Sequence, residues 1–294
     1  MGQWIDFLGA EIRYVATPSY ERIRIAEAGK GNPEVLFLMH GLGGHLEAYA
    51  KNVIALSKHF HVIAFDFVGH GLSCKPVDIE YNSDTYANQL LELMNAFNVD
   101  KAHLSGESLG GWVAGRFAVK YPERVKRLVL NTAGGIPIVT DKGRRDAAEF
   151  RELSAKNVGQ QPTVDSVRKR MQFLMHESNW GLLDEDLVET RLFFYTQPDF
   201  QRAGPLVLAL LQRLNDDASG SQMIQLENIA AETLLYWTKF NPIHDVESAR
   251  AALPRLSRGS LYISTANAAH WPQYEAPAEF NAVVEHYLLT GEAQ

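Results

Sequence analysis

The sequence contains a single cysteine, Cys74, among its 294 residues. A disulfide within the chain is therefore excluded, and a metal site built from cysteine thiolates is not expected. No uncharged apolar run reaches the roughly 18 residues that a membrane-spanning helix requires. The first residues lack the basic start and apolar run of a secretory signal, so we expect a cytoplasmic protein.

Positive charge is also scarce. The 28 lysines and arginines are outnumbered by 35 acidic residues, which gives a formal net charge of −7. The basic residues are scattered along the chain, so the basic stripe of a nucleic-acid-binding protein is missing. The hydrophobic content of 46% is nevertheless ordinary for a globular chain. The chain is long enough to bury a large core in one or two domains.

Short apolar runs alternate with helix-like segments through the first half of the chain. The runs at residues 35–39, 61–65, 102–105 and 125–131 are predicted strands, and two further strands are expected at 12–15 and 23–28. Helical patterns at residues 47–56, 83–97 and 109–121 separate them. Buried strands between amphipathic helices predict an α/β fold with a mostly parallel, doubly wound sheet of about eight strands.

The pattern changes after Gly134-Gly135. Residues 136–227 are almost entirely helical in pattern, and strand patterns resume at 234–237 and 260–264 before a final helix at 278–288. We therefore predict a core of residues 1–135 and 228–294, with a helical cap of residues 136–227 inserted after the sixth strand. Two consecutive domains are disfavoured, because the strands after the insert are too few to form a sheet alone. The cap should cover the strand ends, where ligands bind in such sheets.

The segment Gly106-Glu107-Ser108-Leu109-Gly110 fits the pattern G-x-S-x-G. It follows a predicted strand and opens a predicted helix, which is the context of a nucleophilic serine on a sharp turn. Such a turn exposes the hydroxyl, while the helix N-terminus supplies backbone N–H groups and a positive dipole end. We predict Ser108 as a nucleophile; the alternative is a glycine-rich turn that serves packing.

A second glycine-rich segment, His40-Gly41-Leu42-Gly43-Gly44, follows an earlier predicted strand. Acyl transfer needs two N–H donors directed at the developing oxyanion. We assign these donors to the backbone amides of Leu42 and Leu109, although the glycines could also form only a tight turn. A phosphate-binding loop fits poorly, because the pattern G-x-x-x-x-G-K-[ST] is absent.

A serine hydroxyl is a weak nucleophile unless a base activates it. Of the ten histidines, His270 lies in a loop between the last predicted strand and the final helix. The hydrolase order of serine, acid and histidine places the base there. We therefore predict His270 as the base; a loop histidine with structural hydrogen bonds is the alternative.

With these residues in place, the sequence resembles the α/β-hydrolase superfamily over nearly its whole length. Within it, the chain is most similar to the meta-cleavage product hydrolases, which hydrolyse a carbon–carbon bond in vinylogous 1,5-diketone acids formed by ring fission of aromatic compounds. The resemblance rests on Gly106 to Gly111, Ala133-Gly134-Gly135, Arg191 before Gln197-Pro198, His270-Trp271, Gln273, Glu275 and Glu279-Phe280-Asn281.

The resemblance implies residues that bind the substrate. A cap arginine of that family binds the substrate carboxylate, and Arg191 matches it; a guanidinium fork suits a planar carboxylate, and a solvated helix residue is the alternative. Trp271 matches a tryptophan that lines the site. Gly41 and Glu107 are assigned to the same site. Position 107 often carries asparagine in the family, and a carboxylate there would repel an anionic substrate unless it is protonated or turned away.

The family's catalytic acid follows the strand after the cap, in the pattern W-G-x-x-D. Here Asn241 holds that position, in Trp237-Thr238-Lys239-Phe240-Asn241. A neutral amide can orient imidazole, but it stabilises imidazolium less and can select the wrong tautomer; in a serine protease this exchange costs about 10⁴ in kcat. Register favours Asn241 as the third member. Asp245 is the alternative if the loop is rearranged, and loss of hydrolytic activity is a third reading.

Three functions remain open at this point. The leading one is a serine-dependent hydrolase that cleaves a carbon–carbon bond in a carboxylated vinylogous diketone from aromatic degradation. The second is a carboxylesterase or lactonase that acts on a small neutral ester. The third is a non-catalytic ligand-binding receptor on the hydrolase scaffold, for which the amide at position 241 is the main evidence. We expect a small-molecule substrate, no metal or organic cofactor, and neither nucleic acid nor a membrane as partner; a homodimer is left open.

Overall fold

The apolar runs of the sequence form the strands of a single sheet. The computed structural model of the protein describes residues 3–158, 161–216 and 220–293. Within these ranges eight strands pair in the order β1-β2-β4-β3-β5-β6-β7-β8. The strands are β1 Glu11–Val15, β2 Ile23–Ala28, β3 Val35–Met39, β4 His61–Phe65, β5 Ala102–Glu107, β6 Val125–Asn131, β7 Glu232–Trp237 and β8 Gly259–Ile263. The pairs that involve β2 are antiparallel, and the other pairs are parallel.

Helices cover both faces of this sheet, as continuous burial along the parallel strands requires. The helices of the described residues are α1 Ala50–Leu56, α2 Ser83–Ala96, α3 Leu109–Lys120, α4 Asp141–Val158, α5 Val164–Leu174, α6 Glu185–Thr196, α7 Pro198–Asp216, α8 Val246–Ala252, α9 Pro272–Glu275 and α10 Pro277–Thr290. Helices α2, α3 and α8 share one apolar core with the sheet. Helices α1 and α10 pack in the core on the opposite face.

Helices α4 to α7 all lie between β6 and β7. They have an apolar cluster of their own, which includes Phe150, Met171 and Val188. The same cluster contains Trp271 and Tyr274 from the segment after β8, so this helical insert packs directly on that segment. Residues 159, 160 and 217–219 of the predicted cap lie outside the described residues. Among the described helices, none is both long and apolar enough to cross a membrane.

The predicted fold class is confirmed: a mostly parallel α/β sheet carries a helical insert after its sixth strand. The element bounds differ slightly from the prediction. Strand β5 does not end at Ser105, because Gly106 and Glu107 continue the parallel pairing with Leu130 and Asn131 of β6. Glu107 is therefore the last residue of a buried central strand, directly before the turn at Ser108.

A buried ion-pair network fixes the loops on the strand-end side of the sheet. The Arg24 guanidinium lies 2.7 Å from both the Asp66 and the Glu47 carboxylates. Asp66 also accepts hydrogen bonds from the backbone amides of Leu46 (2.7 Å) and Leu72 (2.8 Å). Buried charges persist where they are paired and hydrogen-bonded in this way. The network therefore anchors the loops that follow β3 and β4.

The contact between α3 and β3 leaves no room for a side chain at Gly110. A Cβ atom there would lie 2.1 Å from the Met39 carbonyl oxygen, so the helix would have to move away from the strand. We expect Gly110→Ala to lower the free energy of unfolding by about 1–3 kcal/mol, as overpacking does. Gly181→Ala is the control, because a Cβ atom at Gly181 meets nothing within 4 Å. Chemical denaturation of both variants measures the difference, and equal stabilities would contradict the proposed close contact.

Candidate active site

Ser108 occupies a sharp turn between β5 and α3. Its backbone angles are φ 54° and ψ −112°, a sparsely populated region for a residue with a side chain. The Ser108 amide donates to the Asn131 carbonyl at 3.1 Å, and its carbonyl accepts from the Gly134 amide at 2.9 Å. A Cβ atom at Gly106 would lie 2.2 Å from the Gly110 backbone. The glycines thus permit the close approach that the turn requires, and the surrounding backbone bonds hold the strained residue.

His270 lies in the loop between β8 and α9, and it is buried. Its amide donates to the Leu174 carbonyl at 2.9 Å, and its carbonyl accepts from the Thr132 hydroxyl at 2.8 Å. The Thr238 hydroxyl donates to the carbonyl of the preceding residue, Ala269, at 2.6 Å. The backbone of His270 is therefore held both from the core and from α5 of the helical insert.

The carboxylate of Glu275 braces the same loop. Its Oε1 accepts the backbone amides on either side of His270, from Ala269 at 2.9 Å and Trp271 at 3.1 Å. Its Oε2 accepts the His176 amide of the helical insert at 2.8 Å. Burial raises the pKa of Glu275, and these hydrogen bonds oppose that rise. No local sequence pattern at Glu275 indicates this bracing role.

The imidazole of His270 is oriented by Asn241. The His270 Nδ1 lies 2.7 Å from the Asn241 Oδ1, while the Asn241 Nδ2 donates to the His244 carbonyl. Because that carbonyl can only accept, the amide must present its oxygen to the imidazole. Nδ1 therefore carries the proton, and Nε2 keeps the lone pair that a base needs. The wrong tautomer, which an amide at this position can select, is thus avoided.

Asp245, the alternative to Asn241, is engaged elsewhere. Its Oδ1 accepts from the Ser248 amide at 3.2 Å and caps the N-terminus of α8. Its Oδ2 accepts from the hydroxyl of Thr140, which precedes α4. Both oxygens therefore serve a helix cap and a contact with the helical insert. The geometry favours Asn241, whose role as the third member of the triad stays a prediction.

Glu107 lies in front of the imidazole. Its Oε1 is 3.2 Å from the His270 Nε2, and both side chains are almost fully buried. Burial raises the pKa of Glu107 to about 8, against the opposing effects of the Gly41 amide and the cations Arg191 and Arg170. Burial lowers the pKa of His270 to about 3, and the charges of neighbouring groups lower it further. Both groups are therefore neutral near pH 7.

The predicted oxyanion donors lie beside Ser108. Leu42 and Leu109 line the same pocket as Ser108 and His270. Leu109 is the first residue of α3, so its N–H has no acceptor within the helix. Both residues therefore border the site, and the assignment of their amides as oxyanion donors stays a prediction.

Two side chains of the helical insert hold the oxyanion turn. The Arg170 guanidinium donates to the Leu42 carbonyl at 2.8 Å, and the Tyr195 hydroxyl donates to the Gly43 carbonyl at 2.8 Å. Gly43 has φ +66°, which a residue with a side chain adopts only with strain. Sequence reasoning missed Arg170 and Tyr195, because neither lies in a recognisable motif.

Two pockets flank Ser108. The larger one is mainly apolar and is lined by Trp112, Ile136, Ile138, Phe150, Leu210, Leu211, Met223 and Ile243. The smaller one contains the predicted substrate-binding residues Gly41, Glu107, Arg191 and Trp271. Ser108 and His270 border both pockets. Among the described residues, no cluster of three or more His, Cys, Asp or Glu side chains is arranged to hold a metal ion.

Arg191 is fully buried in α6, unlike a solvated helix residue. Its guanidinium lies 4.8 Å from the centre of the Trp271 ring, in a cation–π contact. The Nε and Nη1 atoms have no hydrogen-bond partner within the described part of the chain. Buried donors without acceptors are costly. Arg191 is therefore a buried cation with free N–H groups that borders the small pocket.

Comparison with known proteins identifies the family of this chain. Residues 34–277 match the model of the alpha/beta hydrolase fold family, to which the chain therefore belongs. It is similar to a 2-hydroxy-6-oxo-2,4-heptadienoate hydrolase of Pseudomonas putida strain F1, with 28% identity over 96% of this chain and 98% of that protein. It is also similar to a 2-hydroxymuconate semialdehyde hydrolase of Pseudomonas sp. strain CF600, with 26% identity over 92% of each chain.

Solved structures share the fold. The meta-cleavage product hydrolase of Pseudomonas fluorescens IP01 aligns with a TM-score of 0.79 and 24% identity over 97% of this chain and 100% of that chain. A lipase described as putative, from Acinetobacter baumannii AYE, aligns with a TM-score of 0.84 and 22% identity over 98% of this chain and 93% of that chain. The resemblance to α/β hydrolases, and to meta-cleavage product hydrolases among them, is confirmed.

The role of Asn241 can be tested through the pH dependence of kcat/KM. Because the pKa of His270 is lowered to about 3, the wild-type activity should stay flat well below the usual range for histidine. Asn241→Asp places a carboxylate behind the imidazole, stabilises its protonated form and raises its pKa, so the acid limb should move up by at least about one pH unit. Activity is lost below that limb, since a protonated His270 cannot act as a base.

Asn241→Leu is the matched variant, since it keeps the volume and removes both hydrogen bonds. Without an oriented imidazole we expect kcat to fall by about 10²-fold or more. An unchanged acid limb in Asn241→Asp together with full activity in Asn241→Leu would show that Asn241 does not act on His270.

Proposed function

We propose that the protein is a serine-dependent hydrolase that cleaves a carbon–carbon bond in a carboxylated vinylogous diketone, the ring-fission (meta-cleavage) product of an aromatic compound. One observation carries this proposal. Ser108 lies between a large apolar pocket and a small pocket in which Arg191 offers unpartnered N–H groups. A substrate with an apolar end, a central carbonyl and a carboxylate end fits this arrangement.

The reaction begins with proton transfer from Ser108. The His270 Nε2 accepts the hydroxyl proton while Oγ, or a water that it activates, bonds to the substrate carbonyl carbon. The backbone amides of Leu42 and Leu109 donate to the oxyanion that forms. The Asn241 oxygen keeps the proton on Nδ1 and stabilises the imidazolium, less strongly than a carboxylate would.

Collapse of the tetrahedral intermediate breaks the carbon–carbon bond. The electron pair moves into the conjugated fragment that bears the carboxylate, and His270 returns a proton to that fragment. Where Oγ has attacked, water then hydrolyses the acyl group left on Ser108, with His270 again acting as the base. No step in this sequence requires an oxidant or a reductant.

The carboxylate end is assigned to the small pocket. Arg191 forms hydrogen bonds with it, and Trp271 supports the guanidinium from the other side. The apolar end occupies the large pocket, whose lining is typical of small-molecule sites. Relatives named as hydrolases of 2-hydroxy-6-oxo-2,4-heptadienoate and 2-hydroxymuconate semialdehyde support this substrate class.

We assign the helical insert, residues 136–227, as a cap domain on a core of residues 1–135 and 228–294. Its side chains contact the oxyanion turn through Arg170 and Tyr195, and its α5 contacts the His270 backbone. A cap with these contacts positions the reacting groups. Its contribution to the reaction is therefore geometric.

Replacement of the nucleophile tests the proposed chemistry. Ser108→Ala should abolish turnover of a 2-hydroxy-6-oxo-dienoate and of a p-nitrophenyl ester, with a loss of about 10³-fold or more in kcat. Absorbance assays measure both reactions, and circular dichroism checks that the fold is unchanged. Labelling of the wild type, but not of the variant, by a fluorophosphonate probe is the control. Full activity in Ser108→Ala would disprove the assignment.

Arg191→Ala separates a carboxylated substrate from a neutral one. Loss of the guanidinium should raise KM for the dienoate by about 10²-fold, since a charge-assisted hydrogen bond contributes roughly 1.5–3 kcal/mol. KM for a neutral p-nitrophenyl ester should change little. Equal KM values for the dienoate in wild type and variant would instead favour an esterase that acts on neutral substrates.

A further inference from the structure

Glu107 occupies an unusual place for a carboxyl group. It ends β5, precedes the predicted nucleophile and lies in the small pocket with Arg191. A Cβ atom at Gly41 would lie 2.6 Å and 2.7 Å from its two carboxyl oxygens, so the carboxyl group packs against the backbone of the oxyanion turn. The Glu107 carboxyl group therefore faces the pocket and is not turned away from it.

The charges around Glu107 come from four elements. Arg191 of α6 and Arg170 of α5 favour its ionised form, and His270 faces it at 3.2 Å. Tyr49, after the oxyanion turn, stays neutral, because burial and the nearby Glu107 raise its pKa well above the usual value. Among the described residues, no arginine or lysine lies within ion-pair distance of the Glu107 carboxyl group.

The net charge of the small pocket therefore depends on one proton. Arg191 remains cationic even though burial lowers its pKa, since arginine does not lose its proton in proteins. His270 is neutral, because its pKa is lowered to about 3. With Glu107 protonated the pocket carries one positive charge, and with Glu107 ionised it carries none.

We infer that Glu107 determines whether the small pocket accepts an anion. As a neutral acid it leaves the charge of Arg191 free for a substrate carboxylate. As a carboxylate it neutralises Arg191 and repels the substrate. This inference rests on the proposed function for the identity of the substrate, but it concerns binding and not bond cleavage.

The sign of the pH dependence follows from the raised pKa. Burial raises the pKa of Glu107 to about 8, so the accepting form is present below that pH and is lost as the pH rises through it. Anion affinity should be constant between about pH 6 and 7 and should then weaken by about tenfold per pH unit above the pKa. A neutral ligand of the same size should show no such dependence.

Calorimetric titration with hexanoate and with hexanamide tests the inference without turnover. Hexanoate is fully ionised across this pH range, so its own titration does not interfere. In the wild type, the dissociation constant for hexanoate should rise at alkaline pH while that for hexanamide stays flat. At alkaline pH, Glu107 should also take up a proton when hexanoate binds. Titrations in buffers of different ionisation enthalpy measure this proton uptake.

Glu107→Gln removes the titrating proton and keeps the shape of the side chain. Its hexanoate affinity should be independent of pH, with no proton uptake. Glu27→Gln is the matched control, because Glu27 is equally buried but lies in β2, where it pairs with Arg13 and His61. This control should keep the alkaline loss of affinity.

Two results would overturn the inference: a hexanoate affinity in the wild type that does not change with pH, or the same alkaline limb in Glu107→Gln as in the wild type. The comparison of hexanoate with hexanamide in the wild type decides the matter even if the variant fails to fold. Turnover that survives Ser108→Ala would refute the proposed function and would leave these binding results standing.

Discussion

The hydrogen bond between His270 and Asn241 depends on a second bond that the amide makes behind it. An isolated amide can present either its oxygen or its nitrogen to an imidazole. Here the His244 carbonyl accepts from Nδ2, so the oxygen must face Nδ1. The tautomer of the base is thus fixed by a backbone carbonyl three residues from Asn241. What the amide lacks is the negative charge that a carboxylate would supply to imidazolium.

The carboxyl group that contacts the imidazole lies in front of it. Glu107 faces Nε2, whereas the usual acid would face Nδ1. Two ionised carboxylates on either side of a fully buried imidazole would incur a large desolvation cost and would repel each other. A neutral amide behind the ring and a neutral acid in front avoid both costs. The asparagine at position 241 and the glutamate at position 107 are therefore compatible with each other in electrostatic terms.

The helical insert is structurally inseparable from the site. Arg170 and Tyr195 hold the carbonyls of the oxyanion turn, and the Glu275 carboxylate joins the His270 loop to the insert through the His176 amide. A small displacement of the insert would move both the oxyanion donors and the base. Misplacement of reacting groups by about 1 Å can cost as much as 10²-fold in rate.

The elements that the sequence predicted well are those specified locally. Ser108 lies in a motif between a strand and a helix, and Asn241 keeps its register relative to β7. The contacts that complete the site were not predictable in this way. Arg170 and the Leu42 carbonyl are 128 residues apart, and Tyr195 and the Gly43 carbonyl are 152 residues apart. No local pattern encodes such pairs, because they form only when the insert packs on the core.

Glu107 shows a different limit of sequence reasoning. The sequence predicts a carboxylate that repels an anionic substrate, and it leaves open whether that group is protonated or turned away. In the structure the carboxyl group faces the pocket against Gly41, and burial without a close arginine or lysine among the described residues favours its protonated form. Because the carboxyl group faces the pocket, protonation is the route by which Arg191 keeps its charge available. The unsatisfied donors of Arg191 then make anion binding favourable, since an anion relieves a desolvation cost that the protein already bears.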